Sequence, residues 1–583
     1  MPLPSAKQVR ADYQRMVDFG PRLPGYPEHN EFCDWIEDQL VKAGLQLLPS
    51  DEFRYRPWRP DPSSVSLEVG GTGYDPATVF VRTPGTPDEG VTGPLVNEGD
   101  GSADGSILLV ELAVPGAMTA AMFLGMSSYW QWDGHTAEEV ASEEFRRFAF
   151  SPWPASLQSY ADQGAKAVVF IVDSTRDQLE DNYSPHQSMV QPLPAVVVDR
   201  DTGAELKARA ASQPTARLRV KASWEDSHVR QITGILPGES DEVVIVNSHT
   251  DGQNAFEENG AVALVHLARH FASLRGSQKL KRTLAFVAWP GHMADVRDIP
   301  GDPNVLPEQY GWIPAHMDLF ERAVGAVTIE HLGATRWTEY EEPEKGYHPT
   351  GEEEAYAIWT TQGPMQELCE EALIESRLQR VMLLKPPVQV TPGVAWHRNG
   401  IPHVAGIAAP TYLLVASENG EMDKLDPDLA ARQTAYFADV IRRIDTADAV
   451  ALRSNDPTLG DWPIREDIST RARSGPPRQV VFDAGGGRRL AVLVAGRRDR
   501  GRDVAVKVAA LDGRLSGVVL EIYSDDALVG RSGPVTATRK PRRVLVRRRG
   551  HRGGYGSGTF TLVVSRGEVV LGQRNITLGR PRR

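Results

Sequence analysis

The middle of the chain alternates between short apolar runs and amphipathic stretches. Between residues 229 and 450, strands are predicted at VVIVN (243–247), TLAFVAW (283–289), GAVTI (325–329) and HVAGIA (403–408). Helical stretches such as NGAVALVHLARHFASL lie between these runs. Apolar strands separated by helices are typical of parallel sheets. The pattern therefore predicts an α/β fold with a mostly parallel sheet that helices cover on both faces.

The regions on either side of this core carry different patterns. Residues 61–225 contain short strands, such as ILLVEL (107–112), and a few helical segments, which predict an inserted α/β domain. After residue 465 only strand-like alternation remains, as in GTFTLVVSRGEVVLGQ, and it predicts a C-terminal β-sandwich. The predicted organisation is an N-terminal part of the main domain (1–60), the insertion (61–225), the core (226–450) and the C-terminal domain (465–583).

The composition is that of a globular protein of about three domains, at roughly 100–200 residues per domain. The chain has 583 residues, of which 41% are hydrophobic and 24% charged. Its two cysteines, Cys33 and Cys369, exclude a disulfide framework and a CxxC motif. The N-terminal residues lack the apolar segment of a signal peptide, so we expect a cytoplasmic location. The uncharged stretch 112–132 contains Pro, Gly, Ser and Gln, which argues against membrane contact.

The charge is distributed unevenly along the chain. Residues 465–583 contain 26 Lys and Arg against 10 Asp and Glu, a net +16, so the remaining residues carry −13 − 16 = −29. The basic run 539–554 is a candidate surface for an anionic partner. The alternative is a basic β-surface that docks on the acidic part of the same chain. Because no aromatic residues are interleaved among the basic ones, we expect no nucleic-acid partner.

Loops that follow the predicted strands contain residue types that bind metals. In open α/β sheets, functional residues lie beyond the carboxyl ends of the strands. Imidazole nitrogens together with carboxylate oxygens form a zinc-type ligand set. The candidates are His249 and Asp251 in SHTD, Glu257 and Glu258 in EENG, His292 in PGHM, and Glu330 and His331 in EHLG.

Six segments, in this order, resemble the zinc aminopeptidase family that includes glutamate carboxypeptidase and the glutaminyl cyclases (metallopeptidase family 28). They are FGPRLPGYPEHNEFCDWIEDQLVKAGL, SHTDGQNAFEENGAVALVHLARHF, RTLAFVAWPGHM, AVTIEHLG, NGIPHV and KLDPDLAARQTAYFADVIRRI. AVTIEHLG is similar to the family's strand that ends in Asp-Met-x-Gly. The resemblance covers most of residues 1–450, and residues 61–225 resemble the protease-associated domain that many family members contain.

The resemblance implies a metal site that departs from the family's pair of zinc ions. Carried over by position, the ligands of one zinc remain as metal-binding residues, with Glu in place of Asp at two positions. The two positions specific to the second zinc hold residues that do not bind metals, and the general-base Glu is replaced by a histidine. In this sequence the first set is His249, Glu258 and Glu330, the second-zinc positions are Met293 and Gly393, and the histidine is His292.

The implied cofactor is one divalent metal ion, with zinc as the first choice. Asp251 is a candidate partner that orients the imidazole of His249. His292 is either the proton carrier or a fourth ligand, and His331 is a candidate for either role. Glu257 is a catalytic candidate, or else a charge at the start of a helix.

The function implied is a one-metal hydrolase of the aminopeptidase type that cleaves an amide bond of a small peptide or amino-acid conjugate. Two alternatives remain open. One is a family member that has lost hydrolysis and serves as a binding or scaffold protein. The other is a non-hydrolytic amide chemistry, such as cyclisation or acyl transfer. The excursion 113–152 is a candidate lid or a contact in a homo-oligomer.

Overall fold

The computed structural model describes most of the chain, and its residues form two compact units. The first unit comprises Met1–Gln309, Val324–Val394 and Pro402–Asp456, and the second comprises Tyr310–Ala323, Ala395–Ile401 and Pro457–Arg583. The described residues are 2–112, 118–145, 156–182, 190–276, 279–293, 312–313, 315–339, 342–386, 391–453, 456, 458–459, 478–483, 489–498, 503–510, 514–524, 527–540, 542–548, 558–566 and 569–578.

The first unit is organised around a ten-stranded mixed sheet. Two adjacent parallel pairs occupy its centre with an antiparallel strand on either side, and Tyr356–Thr360 and Arg380–Leu384 form a third parallel pair further out. The sequence predicted a mostly parallel sheet. On one side, Ser227–Leu236 is antiparallel to its neighbour Thr283–Trp289, and only six residues join it to Val243–His249, fewer than a parallel crossover requires. Across the sheet, the order is Gln46–Leu47, Ser227–Leu236, Thr283–Trp289, Val243–His249, Ala323–Ile329, His403–Ala408, Tyr356–Thr360, Arg380–Leu384 and Ser127–Trp132, with Asp51–Tyr55 also paired to Ser227–Leu236.

Part of the predicted insertion belongs to this main sheet. The excursion 113–152 is described over residues 118–145, and its strand Ser127–Trp132 pairs antiparallel with Arg380–Leu384. Trp132 is buried there in one apolar cluster with residues of the main sheet that include Trp359. Burial of this aromatic surface explains why the excursion joins the main sheet and not that of the insertion. The proposed lid or oligomer contact stays a prediction.

The rest of the insertion forms an eight-stranded mixed sheet of its own. The helix Arg200–Ala210 begins at Asp199, whose carboxylate accepts the backbone N–H of Thr202. Gly203 lets this helix approach the sheet, because a Cβ there would overlap the side chain of Ile171. The strand order is Thr72–Tyr74, Ser66–Val69, Thr215–Arg219, Val91–Asn97, Ile107–Leu112, Ala167–Val172, Ala195–Val198 and Thr78–Val79.

The described elements in the C-terminal part of the second unit are all strands, as the alternation in the sequence predicted. They form a nine-stranded sheet whose described pairs are all antiparallel. On Arg542–Arg548, the exposed Arg543 and Arg547 alternate with buried valines, so part of the basic run lies on an outer face. The strand order is Arg478–Asp483, Arg489–Arg498, Asp503–Ala510, Arg542–Arg548, Ala527–Arg531, Leu515–Ser524, Gly558–Arg566 and Val569–Leu578, with Val535–Ala537 paired to Leu515–Ser524. The sandwich arrangement and the anionic partner stay predictions.

The main helices begin and end at the residues that the sequence marks. Ser5 and Asp426 accept backbone N–H groups of the first turns that follow them, and Gly44, with φ 94°, ends the second helix. Among the described helices, none is both long and apolar enough to cross a membrane. The helices are Ala6–Val17, Pro27–Ala43, Ala120–Leu124, Ala137–Ser142, Gln158–Asp162, Arg200–Ala210, Asn259–Ala272, Met317–Arg322, Pro364–Ser376, Val394–Arg398 and Pro427–Thr446. The described residues also form three short strand pairs: Trp58–Pro60 with Ala222–Trp224, Met118–Thr119 with Glu144–Phe145, and Thr335–Thr338 with His348–Glu353.

Candidate metal centre

The candidate residues lie at the carboxyl ends of three neighbouring strands of the main sheet. His249 is the last residue of Val243–His249 and pairs in register with Trp289, after which the loop to His292 begins. Glu330 follows Ala323–Ile329, and its backbone N–H donates to the carbonyl of Gly406 (3.1 Å). The fully buried strands place these side chains at one edge of the sheet, as the sequence predicted.

The loop that carries Glu257 is shaped by a buried amide. The side chain of Asn254 is fully buried, and its Nδ2 lies 3.1, 2.8 and 2.9 Å from the carbonyl oxygens of Tyr412, Leu413 and Val415. Its Oδ1 accepts the backbone N–H of Glu257 (3.3 Å). One side chain therefore joins two loops and fixes the backbone that presents the glutamate.

The loop after Glu330 is held to the start of the helix Asn259–Ala272. The Asn259 side chain donates to the carbonyl of Leu332 and accepts its N–H, both at 2.8 Å. Gly260 allows the close approach, because a Cβ there would overlap the carbonyl oxygen of Ile329. The Asn-Gly pair of the sequence thus packs the two loops against each other.

Two histidines have their Nδ1 atoms bound to backbone carbonyls. Nδ1 of His249 lies 2.9 Å from the carbonyl oxygen of Asp251, and Nδ1 of His331 lies 2.6 Å from that of Ala408. A carbonyl only accepts, so each neutral imidazole carries its proton on Nδ1 and has its lone pair on Nε2. Metal-binding histidines are commonly oriented by such a contact.

The described residues contain two groups of three side chains whose donor atoms all lie within 4.8 Å of one another. One group is His249, Glu330 and His331, and the other is His249, Glu257 and His292. Both consist of two imidazoles and a carboxylate, and both include His249. This donor set fits a divalent metal such as zinc.

Glu258, the third predicted ligand, belongs to neither group. Its carboxylate is paired with the buried guanidinium of Arg22. Arg22 also donates to the carbonyl oxygens of Met16 (2.9 Å) and Asn254 (2.7 Å), and its backbone pairs with Gly252. The structure therefore uses Glu258 to hold the N-terminal segment against the loop.

Asp251 contacts the neighbouring loop as well as His249. Its carboxylate accepts the backbone N–H groups of His292 (3.2 Å) and Met293, and its Oδ1 lies 3.8 Å from Nδ1 of His249. The imidazole is bound by the carbonyl of Asp251 and not by its carboxylate. Burial raises the pKa of Asp251 to about 6, although the nearby His292 and the backbone N–H groups oppose that shift.

Burial also dominates the electrostatics of Glu257 and His331. It raises the pKa of Glu257 to about 8 and lowers the pKa of His331 to about 3. The Oε2 atom of Glu257 lies 3.5 Å from Nε2 of His331. His292 differs in being half-buried, and its ring centroid lies 4.4 Å from that of His249. Among the side chains of the two donor groups, His292 is the one that is partly accessible to solvent.

The positions that would hold a second metal in the family offer no ligand here. Met293 is buried and apolar. At Gly393 an added Cβ would lie 2.5 Å from the Cβ of Ala405, so the backbone is packed too closely for any longer side chain.

Sequence reasoning did not identify Arg22 or Asn254, which build the site without touching its donor atoms. Arg22 lies more than 200 residues before Glu258, in a segment with no metal-binding motif. Asn254 carried one local signal, a short polar side chain before a helix start. The sequence spacing does not predict these contacts, because Arg22 pairs with Glu258 and Asn254 with residues 412–415, which are distant from them in the chain.

The main sheet, with donor residues at its carboxyl edge, defines a fold of the zinc-aminopeptidase class. The structure is similar to a zinc aminopeptidase from Bacillus subtilis, with a TM-score of 0.51 over 78% of this chain and 100% of that chain, at 16% identity. It is also similar to a peptidase M28 precursor from Shewanella amazonensis, with a TM-score of 0.52 over 76% of this chain and 96% of that chain, at 15% identity. A scan against protein-family models gave no match, and neither did a search of curated proteins. The predicted resemblance is thus confirmed for the fold.

Proposed function

We propose that this protein is a metal-dependent hydrolase of the aminopeptidase type, which cleaves an amide bond of a small peptide or amino-acid conjugate with one divalent metal ion. The supporting observation is the pair of donor groups that share His249 at the carboxyl edge of the sheet. Solved structures with the same fold are named as zinc aminopeptidases.

Only one metal ion is proposed, because the two positions that correspond to the family's second zinc offer no ligand in this chain. His249 has a single ring nitrogen with a lone pair, since its Nδ1 proton is donated to a carbonyl. The crowded Gly393 and the apolar Met293 provide no donors for a further ion. A divalent ion held here would polarise an amide carbonyl and lower the pKa of a water molecule.

Three residues beside the proposed metal are candidates for handling and positioning the transferred proton. His292 is half-buried, so its imidazole can meet both substrate and solvent, and it is our candidate for taking the proton from the attacking water. The carboxyl of Glu257 lies within the same group of donors and can exchange a proton with His292. Asp251 holds the His292 backbone through its carboxylate and thereby sets the position of the imidazole.

The test is the metal content per chain, measured by plasma mass spectrometry on protein purified without a chelator or a His-tag. We expect about one zinc or other divalent ion per chain, and hydrolysis of some members of an aminoacyl-anilide and dipeptide panel. His249→Ala should lose both the metal and the activity. The matched control is His228→Ala, which removes an exposed histidine at the beginning of the strand Ser227–Leu236, outside both donor groups, and should change neither.

The outcomes separate the hydrolase from its alternatives. If zinc binds but no amide substrate is cleaved, the protein is a binding member of the fold or catalyses another amide chemistry, and the hydrolase proposal is wrong. If no metal binds even after zinc is added, the metal proposal is wrong as well.

A further inference from the structure

We infer that His331 completes the metal site together with His249 and Glu330, and that Glu258 is a structural residue and not a ligand. This inference rests on the proposed function, because it assigns the ligands of the metal proposed above. In the family pattern that the sequence resembles, a methionine stands at the position of His331. The imidazole is therefore a departure of this chain and not an inherited ligand.

The backbone at His331 favours a role for its side chain. Its φ is +55°, a left-handed conformation that is uncommon for residues other than glycine, and that histidine, asparagine and aspartate adopt more readily than the rest. The turn around it is fixed by Asn259, which bonds Leu332, and by Gln433, whose side chain accepts the N–H of Gly333 (2.7 Å). These contacts hold the left-handed turn in place and thereby fix the direction of the His331 side chain, which a functional site requires.

The imidazole of His331 is oriented as a ligand. Its Nδ1 proton is donated to the carbonyl of Ala408, which leaves Nε2 as the atom that it can offer in the group with His249 and Glu330. The same Nε2 lies 3.5 Å from Oε2 of Glu257, so that carboxyl stands beside the proposed ligand. All three side chains are buried, which excludes competing water from most of the coordination sphere. Two imidazoles and one carboxylate leave a fourth position open, as a catalytic zinc requires.

Glu258 is excluded by its own contacts. Neither group of donor atoms includes a carboxylate oxygen of Glu258, and its Oε1 is paired with the buried guanidinium of Arg22, for which it is the counter-charge. The space around the carboxylate is also occupied, because Gly252 packs directly against it.

The other group that shares His249 is better suited to proton transfer. His292 is the half-buried member of that group, whereas His331 is enclosed. Since His249 has one lone pair, it binds one metal ion, and on this assignment that ion lies in the group with Glu330 and His331. If the metal is held by His331 and Glu330, then His292 and Glu257 stand beside it and are available to the substrate.

The experiment measures zinc stoichiometry and affinity by competition with a chromophoric chelator for three variants. His331→Asn is chosen because asparagine tolerates the left-handed backbone and its amide can still donate to Ala408. We expect its zinc affinity to fall by more than the roughly 10–100-fold that loss of an orienting partner produces. His292→Ala should keep its zinc affinity within about 10-fold and lose hydrolysis. Glu258→Gln should keep its zinc, because the amide oxygen can still accept from Arg22.

Circular dichroism and thermal melting verify that each variant is folded. Zinc lost from folded His292→Ala and kept by His331→Asn would overturn the inference and assign the metal to the other group, while the proposed function would stand. Zinc lost from folded Glu258→Gln would overturn the structural role of Glu258. If zinc is absent already from the unmodified protein, it is the proposed function that fails.

Discussion

The buried amide of Asn254 gives a direct test of how the site loop is built. Replacing it by aspartate keeps an acceptor for the backbone N–H of Glu257 but removes both hydrogens that serve the carbonyls of Tyr412, Leu413 and Val415. Two N–H hydrogens serve three acceptors, so at least two buried carbonyls lose their partner. At about 1–3 kcal/mol for each unsatisfied group, Asn254→Asp should lower the free energy of unfolding by about 2–6 kcal/mol.

The loss of unfolding free energy in Asn254→Asp should depend on pH, because the new side chain is a carboxyl group that can ionise. An ionised carboxylate facing carbonyl oxygens is disfavoured, so the pKa of the new carboxyl is raised in the folded state above its value of about 3.9 in the unfolded chain. A raised folded-state pKa means that the penalty is greatest at high pH and decreases as pH falls and the carboxyl takes up a proton, which it can then donate to one carbonyl.

The assay is urea unfolding of the wild type and the variant at pH 7.5 and pH 5.5. Asn97→Asp is the control, because Asn97 is only partly buried and its amide contacts an exposed carboxylate, and its effect should stay below about 1 kcal/mol. A variant at Asn254 within about 1 kcal/mol of wild type at both pH values would refute the reasoning that this amide holds the two loops.

Three further predictions concern packing and pH. Gly260→Ala, usually favourable inside a helix by up to about 1 kcal/mol, should instead lower the melting temperature, because its Cβ would overlap the carbonyl of Ile329. Gly393→His should not create a second metal site, and metal analysis should show no added ion, because its Cβ would press on Ala405. Burial lowers the pKa of His29 to about 3. The unfolded chain therefore takes up a proton below about pH 6.5 that the folded chain does not, and between pH 7.5 and 5 the wild type should lose about 2 kcal/mol more than His29→Gln.

Each of these has an outcome that contradicts it. A stabilised Gly260→Ala protein would mean that the helix can move away from the strand. Two bound metal ions in Gly393→His would mean that the backbone at residue 393 can move away from Ala405 and accommodate the side chain. An equal pH dependence for His29→Gln and the wild type would mean that His29 can be protonated in the folded protein.

The sequence determined the local structure of the core and the place of its chemistry. The apolar runs at 243–247 and 283–289 became buried strands, and the stretch NGAVALVHLARHFASL became the helix Asn259–Ala272. Such elements are set by side-chain periodicity and by capping residues close in the chain. Because His249 and Glu330 stand at the carboxyl ends of predicted strands, the sequence also predicted that both lie at one edge of the sheet.

The tertiary structure decided which of these side chains meet. Glu258 and Glu257 are neighbours in the chain, yet one is paired with Arg22 and the other lies among the histidines. The direction of His331 depends on a left-handed backbone and on a carbonyl, that of Ala408, that lies 77 residues further along the chain. The sequence pattern assigned the excursion 113–152 to the insertion, but its strand Ser127–Trp132 pairs with Arg380–Leu384 of the main sheet. Contacts of this kind depend on the register and close packing of distant segments, for which periodicity in one segment provides no information.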